Sequence, residues 1–484
     1  MKAMSLETPL VLMLLTVAST MTGFAQSAAL KPADRAAIDR LNKDIPKYMQ
    51  LAQVPGLSAA LIRNGQLVWF KNLGVTNHDT KQPVDEQTIF EANSLSKPVF
   101  AVSVLTLVDQ GKINLDTPII EYEGADFKGC DDPRFKQVTT RMILSHSSGI
   151  VRDAQDPENK VALAFTPGEK FQYSPVGIEL LSHLIEKITG LKIEDFIQQA
   201  VLAPLAMNRS SYVWQPAYDK LRIYRHDWTG HVTLDRQEWT RGAACCSLQT
   251  NAEDYAKFVI AVLSGSLLKR ATWEEMLKPQ IPVSAKFPEL YWGLGWGLEK
   301  TEQGESFWHW GDSGQSRNYI SANLWSKNAV ILFTNSENGL SFVKEILDDG
   351  IGGSHQGPLY LDYERYDAPS WLLGRSILKE GAPAALATYR KQKRKGGHGV
   401  SETAMNQLGY RMISMKRVSD AIAVFRQNTE DFPQSWNTWD SLAEAYMDNG
   451  DNRLATQDYQ KSLELNPAND NAKQMLKKLA DQHN

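Results

Sequence analysis

Ser94-Leu95-Ser96-Lys97 stands at the head of an apolar series, Val99, Phe100, Val102, Leu105 and Val108, whose spacing predicts a helix closing at Gly111. Residues three apart share a helix face, so Lys97 is expected one turn above Ser94 with its amine in reach of the hydroxyl. A serine alcohol is a weak nucleophile until a neighbouring base takes its proton. A lysine serves as that base only where burial or nearby positive charge lowers its pKa. The pairing therefore proposes an activated serine. Asn93 reads as an N-cap that puts Ser94 in the first turn beside unsatisfied backbone N–H groups. Pro98 removes the N–H that would bond the Ser94 carbonyl.

The tetrapeptide is weak alone, because Ser-x-x-Lys occurs four times, at Ser94/Lys97, Ser266/Lys269, Ser341/Lys344 and Ser376/Lys379. The flanking sequence sets the first occurrence apart. Phe90 to Lys97, the helix, and Gly111-Lys112-Ile113-Asn114-Leu115-Asp116 resemble the penicillin-recognising serine hydrolases, above all the branch of class C β-lactamases, DD-peptidases and esterases. Thr140 to Gly149, with Leu144, His146 and Ser148-Gly149, is similar to that branch's T-x-x-x-L-L-x-H-x-S-G-L stretch. Phe171-Gln172-Tyr173-Ser174 resembles the F-x-Y-S start of its second catalytic motif, and Trp292 to Gly297 its Y-G-L-G-W strand. His309-Trp310-Gly311 falls where the branch carries K-T-G or H-x-G. The resemblance spans roughly residues 45–350.

The resemblance implies a β-lactamase/transpeptidase-like α+β fold: an antiparallel sheet from both chain ends, flanked by helices, with a helical region between. It also implies roles. Ser94 attacks a carbonyl, and Lys97 and Tyr173 move the proton. The backbone N–H groups of Ser94 and Asp312, just past Gly311, form the oxyanion hole. His309 stands in the third motif, and Gly311 lets the backbone approach the substrate. Two departures bear on substrate. Pro175 occupies the asparagine place of Y-x-N and offers a substrate amide no side-chain donor or acceptor. His309 replaces a fixed lysine charge with a group mostly neutral near pH 7. Arg317 reads either as a substitute charge or as an ordinary surface residue. His146 reads as structural.

No cofactor is expected, and the nine histidines show no zinc-binding spacing. Cys245 and Cys246 are adjacent and strained as a pair, so Cys130 is left to bridge one of them or to stay free. Lys2, the apolar run Leu10 to Val17 and small residues near Ala25 to Ala29 read as a secretory signal peptide, residues 1–27, which places the mature chain in the periplasm or outside the cell. A net charge of −4 and 42% hydrophobic residues argue for a folded enzyme, without nucleic acid as partner and without a membrane span.

Residues 28–358 are assigned to the hydrolase domain and 359–400 to a helical linker, with Arg390 to Lys395 and Gly396-Gly397 as its solvated end. Trp371 to Tyr389 reads as helices able to cap the repeats that come next. In residues 401–484, Leu408, Ala421, Phe425 and Pro433 recur 34 residues later as Leu442, Ala455, Tyr459 and Pro467, and the second unit resembles a tetratricopeptide (TPR) repeat. The resemblance implies an all-α domain of helical hairpins, which either takes a peptide or protein partner on a concave face or packs on the enzyme as an accessory domain. In the hydrolase, strands are expected at Leu57–Arg63 and Leu67–Asn72 around Asn64-Gly65, then near Trp292–Lys300, Ser306–Trp310, Tyr319–Leu324 and Asn328–Thr334. Helices are expected at Gly177–Thr189 and Thr250–Leu263, the latter opened by a Thr250/Glu253 capping box. The expected activity is acyl-enzyme hydrolysis of a small-molecule ester or small amide. The alternatives are β-lactam or D-alanyl-peptide cleavage, and a non-catalytic sensor that acts through its repeats.

Overall fold

The computed structural model describes residues 30–124, 129–152, 160–233, 238–397 and 399–481; the expected signal peptide lies outside them. Asn64 and Gly65 have φ of 50° and 75°, the two left-handed residues that a tight hairpin turn demands. They join β1 (Gly56–Arg63) to β2 (Gln66–Gly74). The remaining strands of this sheet come from the other end of the domain: β3 (Ile281–Ser284), β4 (Phe287–Trp292), β5 (Gly297–Thr301), β6 (Gly304–Asp312), β7 (Arg317–Asn323) and β8 (Asn328–Thr334). All pair antiparallel in the order β2-β1-β8-β7-β6-β5-β4-β3, so β1 closes against the last strand, Leu57 facing Thr334. The single strand expected over Trp292–Lys300 is broken at Gly293–Trp296. There Leu294 and Gly295 donate their N–H groups to Met276 and Leu144 instead of to a neighbouring strand.

Both faces of the sheet are covered, which explains the near-continuous burial of β1. Leu57, Ala59 and Leu61 face α1 (Pro32–Ala52) and a later helix, Val343–Gly350. Ala60 and Ile62 face the other way, into the main core with α2 (Ser96–Asp109). Helix α2 is buried on nearly every side, not along the one stripe its spacing suggested. It is the central helix, and Ser94 sits at its head. Beyond it lie α3 (Pro175–Thr189) and α4 (Ala252–Ser264). Pro175 is the first residue of α3, where a missing N–H costs nothing, and the Ser174 hydroxyl caps Gly177 at 3.0 Å. The expected Thr250/Glu253 capping box is absent. Asn251 caps α4 through Asp254 N at 2.9 Å, while the Thr250 hydroxyl is engaged with Ser210.

The C-terminal third is helical: α5 (Val343–Gly350), α6 (Pro369–Glu380), α7 (Ala382–Arg394), α8 (Glu402–Ser414), α9 (Val418–Asp431), α10 (Trp436–Asp448), α11 (Asn452–Leu465) and α12 (Asp470–Asp481). The 34-residue pairs Leu408/Leu442, Ala421/Ala455 and Phe425/Tyr459 are all buried in one core with Trp371, Ile377 and Leu386. Within the stretch read as a helical linker, Tyr360 to Tyr366 pack on the hydrolase sheet's core, and Trp371 to Tyr389 pack with the hairpins. The basic run is the last turns of α7, tied to α9 by Arg390–Gln427 and Lys393–Asp431 contacts of 2.8 Å. Trp228, from the hydrolase side, inserts into this same core beside Trp371. Cys130, Cys245 and Cys246 are all free. The Cys130 thiol meets the Asp132 backbone, whereas Cys245 and Cys246 interact with each other.

Candidate active site

The turn carrying Ser94 is fixed by long-range hydrogen bonds before any chemistry is considered. Asn93–Leu95 form a 3₁₀ turn and the α-helix begins at Ser96, so the expected N-cap at Asn93 does not exist. Asn93 takes φ of 52°, a left-handed corner that asparagine tolerates, and its side chain donates to Ser316 O at 3.0 Å. Ala92 N donates to Leu248 O (2.8 Å), Tyr255 OH to Leu95 O (2.9 Å) and Tyr212 OH to Ser96 O (2.6 Å). Strand β6 passes directly behind. A Cβ on Gly311 would lie 2.2 Å from Ala92 O, so glycine is needed there to seat the strand on the nucleophile turn. This close approach is to the protein's own Ala92 carbonyl.

Lys97 is 1% exposed, and its Nζ donates to Ser94 Oγ and Cys245 O, both at 2.9 Å. The ammonium also faces the Tyr173 ring, 4.8 Å from its centroid. Burial pulls its pKa down, but Tyr173 and the Cys245 and Cys246 thiols pull it up further, and the net shift is upward. The lowered lysine pKa that the serine–lysine pair called for is therefore not found; Lys97 is held as a cation. Its carbonyl partner is itself anchored, Cys245 N donating to Glu179 Oε1 at 2.6 Å. Neither Glu179 nor the Cys245 carbonyl was legible in the sequence, because a main-chain acceptor leaves no residue signature.

Tyr173 leads into α3 and packs in an aromatic cluster. His146 lies 4.4 Å from it, Trp310 4.8 Å, Trp292 5.9 Å and His309 6.1 Å between ring centroids. Its hydroxyl is buried and interacts with the Lys97 ammonium, with no other hydrogen-bond partner among the described residues. His309 is completely buried. Its Nδ1 lies 2.7 Å from Trp310 O, an atom that can only accept, so Nδ1 carries the hydrogen and Nε2 presents a lone pair. That Nε2 is buried and unpartnered. Burial first, and then the Lys97 charge, push His309 down to about 3, so it is neutral. His146, at φ of 54°, accepts the Ser174 N–H on Nδ1 at 3.1 Å and orients the Tyr173–Ser174 segment. The structural role read for it in the sequence is thus exercised against the catalytic tyrosine candidate.

At the end of β6, Asp312 binds Gly314 N (2.6 Å) and Arg317 Nε (3.2 Å) through Oδ1, and Tyr363 OH (2.5 Å) through Oδ2. Arg317 is thereby spent on Asp312 and on the Glu337 carbonyl, so it is no substitute for the missing lysine charge. The structure brings Ser94, Lys97, Tyr173 and His309 together, with Gly311 and Asp312 on the strand behind. A buried hydroxyl–ammonium–phenol set of this kind can transfer an acyl group to serine and on to water.

The buried histidines carry a stability prediction. An unfolded His309 would bind a proton near 6.5 and the folded one only near 3, so the unfolded state holds more protons between those values. His146 is lowered well below 6.5 by the same burial and then by the Lys97 charge. Stability should fall as pH drops from 6.5 toward 4, at up to about 1.4 kcal/mol per pH unit per histidine. Glu299, raised to about 7 by burial, works in the opposite sense for a single group. A urea midpoint that stays flat from pH 6.5 to 4 would contradict this, and His309→Gln should shallow the slope.

Comparison with known proteins speaks to the family and the fold. The family profile described as Beta-lactamase matches residues 41–348. A beta-lactamase of Pseudomonas fluorescens is 29% identical over 181 residues, 35% of this chain and 49% of that protein. Esterase EstB of Burkholderia gladioli is 25% identical over 201 residues, 36% of this chain and 51% of that protein. The chain thus spans about half the length of these relatives. Among solved structures, the octameric penicillin-binding protein homologue of Pyrococcus abyssi superposes with a TM-score of 0.55 at 24% identity, covering 71% of this chain and 82% of that one. D-alanine carboxypeptidase AmpC of Burkholderia cenocepacia gives 0.55 at 17% identity, covering 64% and 98%. These two likenesses speak for the fold.

Proposed function

The chain belongs to the beta-lactamase family of serine hydrolases, and on that premise we propose that it cleaves an uncharged carboxylic ester or small amide through an acyl-enzyme on Ser94. The observation that carries the reading is the 2.9 Å contact of a buried Lys97 with the Ser94 hydroxyl, with Tyr173 facing the same ammonium. A lysine held as a cation does not itself take the serine proton. Tyr173, which faces the same ammonium, takes the serine proton as it gives its own to the leaving group. The backbone N–H groups of Ser94 and Asp312 hold the oxyanion, and water then releases the acyl group by the reverse proton path.

Substrate preference is set by the chemistry the third motif lacks. His309 is buried and neutral, so it supplies no positive charge to pair a substrate carboxylate. Pro175 supplies no amide-binding group. A β-lactam or a D-alanyl peptide offers a carboxylate that this site leaves unpaired, at a cost of about 1–3 kcal/mol. Relatives named esterase and beta-lactamase support both chemistries in the family. In this reading the chain is exported to the periplasm or beyond, and the TPR-like hairpins form its C-terminal domain.

The test is hydrolysis of a short-chain nitrophenyl ester and a chromogenic cephalosporin side by side. Ester kcat/KM exceeding that for the cephalosporin by at least about tenfold, the 1.4 kcal/mol equivalent of one lost polar contact, is expected. Equal or faster cephalosporin cleavage would overturn the substrate preference while leaving the serine chemistry intact.

A further inference from the structure

Arg411 lies on α8, the first helix of the C-terminal hairpins, far along the chain from every motif. Its guanidinium reaches back across a cavity of about 850 Å³ that is walled by both the hydrolase domain and α8. It donates to Glu364 Oε2 at 2.5 Å and to Glu337 Oε1 at 3.4 Å, and it lies 5.2 Å from the centre of the Trp228 ring. Each carboxylate leads to one residue at the active site. The Glu337 carbonyl accepts from Arg317, whose Nε holds Asp312 Oδ1 at 3.2 Å. Tyr363, next to Glu364, donates its hydroxyl to Asp312 Oδ2 at 2.5 Å, and Arg317 lies 4.7 Å from the centre of the Tyr363 ring. Both oxygens of the Asp312 side chain are thus held by groups that Arg411 braces.

We propose that Arg411 is a positioning residue for acyl transfer: through Glu337–Arg317 and Glu364–Tyr363 it fixes Asp312, whose backbone N–H completes the oxyanion hole. The proposal rests on the acyl-enzyme reading, in which that N–H holds the oxyanion. Asp312 ends β6, where the ladder to β7 stops at the Asp312–Arg317 pair, so the sheet holds it from one side only. The side-chain clamp supplies the rest. The first helical hairpin is then part of the catalytic unit and not merely an appended module. A donor fixed in this way matters more in the tetrahedral state than in the bound ester, because the oxyanion gains charge and moves toward the donors only as the bond forms.

The experiment compares Arg411→Ala, Arg411→Lys and Arg375→Ala in the full chain. Arg375 also joins α6 to the hydrolase, donating to Leu51 O at 3.1 Å, but it has no path to Asp312. Nitrophenyl-ester kinetics are read beside the rate of inactivation by a nitrophenyl phosphonate, which forms a tetrahedral, negatively charged adduct on serine. Arg411→Ala is expected to lower kcat and phosphonate inactivation together by about tenfold or more with KM little changed, since sub-ångström misplacement of a catalytic group costs on this scale. Arg411→Lys, with one charge but no fork, should recover part of both. Arg375→Ala should change neither. The proposal is overturned if Arg411→Ala stays within twofold of wild type on both readouts, or if Arg375→Ala falls equally, which would mark a general loss of domain docking. A wild-type protein that neither turns over the ester nor reacts with the phosphonate would instead sink the hydrolase reading itself.

Discussion

Ser94→Ala is expected to keep the fold and lose ester turnover by roughly 10⁴- to 10⁶-fold, the scale on which removing an activated nucleophile acts. The fold should persist because the Ser94 side chain makes a single hydrogen bond within the protein, accepted from Lys97, and Lys97 keeps its second acceptor at Cys245 O. The stability change should stay within about 1 kcal/mol. Intact-mass measurement after mixing with a slow ester should show an acyl adduct on the wild type and none on the variant. Lys97→Met is the stricter comparison. It removes a buried cation that faces Tyr173 and leaves the Cys245 carbonyl without its donor, at about 1–3 kcal/mol. Its rate loss should approach that of Ser94→Ala although the nucleophile remains. A Lys97→Met enzyme retaining more than a tenth of wild-type kcat would remove the cation from the mechanism, whatever Ser94→Ala does.

The sequence carried the serine–lysine pair because helix geometry fixes what three-residue spacing means, and because motif order supplied Tyr173 and His309. It carried the hairpin at Asn64-Gly65 and the 34-residue period for a similar reason: each is a local rule with one geometric outcome. What it did not carry was set by long-range packing. Asn93 looked like a cap by residue type, yet tertiary bonds from Ser316, Leu248 and Tyr255 hold the turn, and the helix starts later. The direction of the Lys97 shift depends on Tyr173, Cys245 and Cys246, which are distant in sequence and converge only in the fold. The need for glycine at 311 against the Ala92 carbonyl was not legible, because one sequence does not show which backbone lies beside it. The strand predicted through Gly293–Trp296 failed because those N–H groups find acceptors in Met276 and Leu144 instead of in the sheet.

Tyr173→Phe separates the tyrosine's chemistry from its packing, since it deletes one oxygen and keeps the ring. The ring's packing on His146 at 4.4 Å and Trp310 at 4.8 Å is unchanged. The Lys97 ammonium loses the Tyr173 oxygen but keeps Ser94 Oγ and Cys245 O. Stability should therefore stay within about 1 kcal/mol. Turnover should fall by about 10²- to 10⁴-fold, the range for losing a positioned proton-transfer group. A large rate loss at unchanged stability is the test, because a tyrosine that served only packing would show no such loss. Leaving groups sharpen it further. If Tyr173 protonates the departing oxygen, the loss should be greatest for an alkyl ester and shrink for a nitrophenyl ester, whose phenolate departs without help. An equal loss on both esters would assign Tyr173 to the attack step alone and return the proton delivered to the leaving group to Lys97.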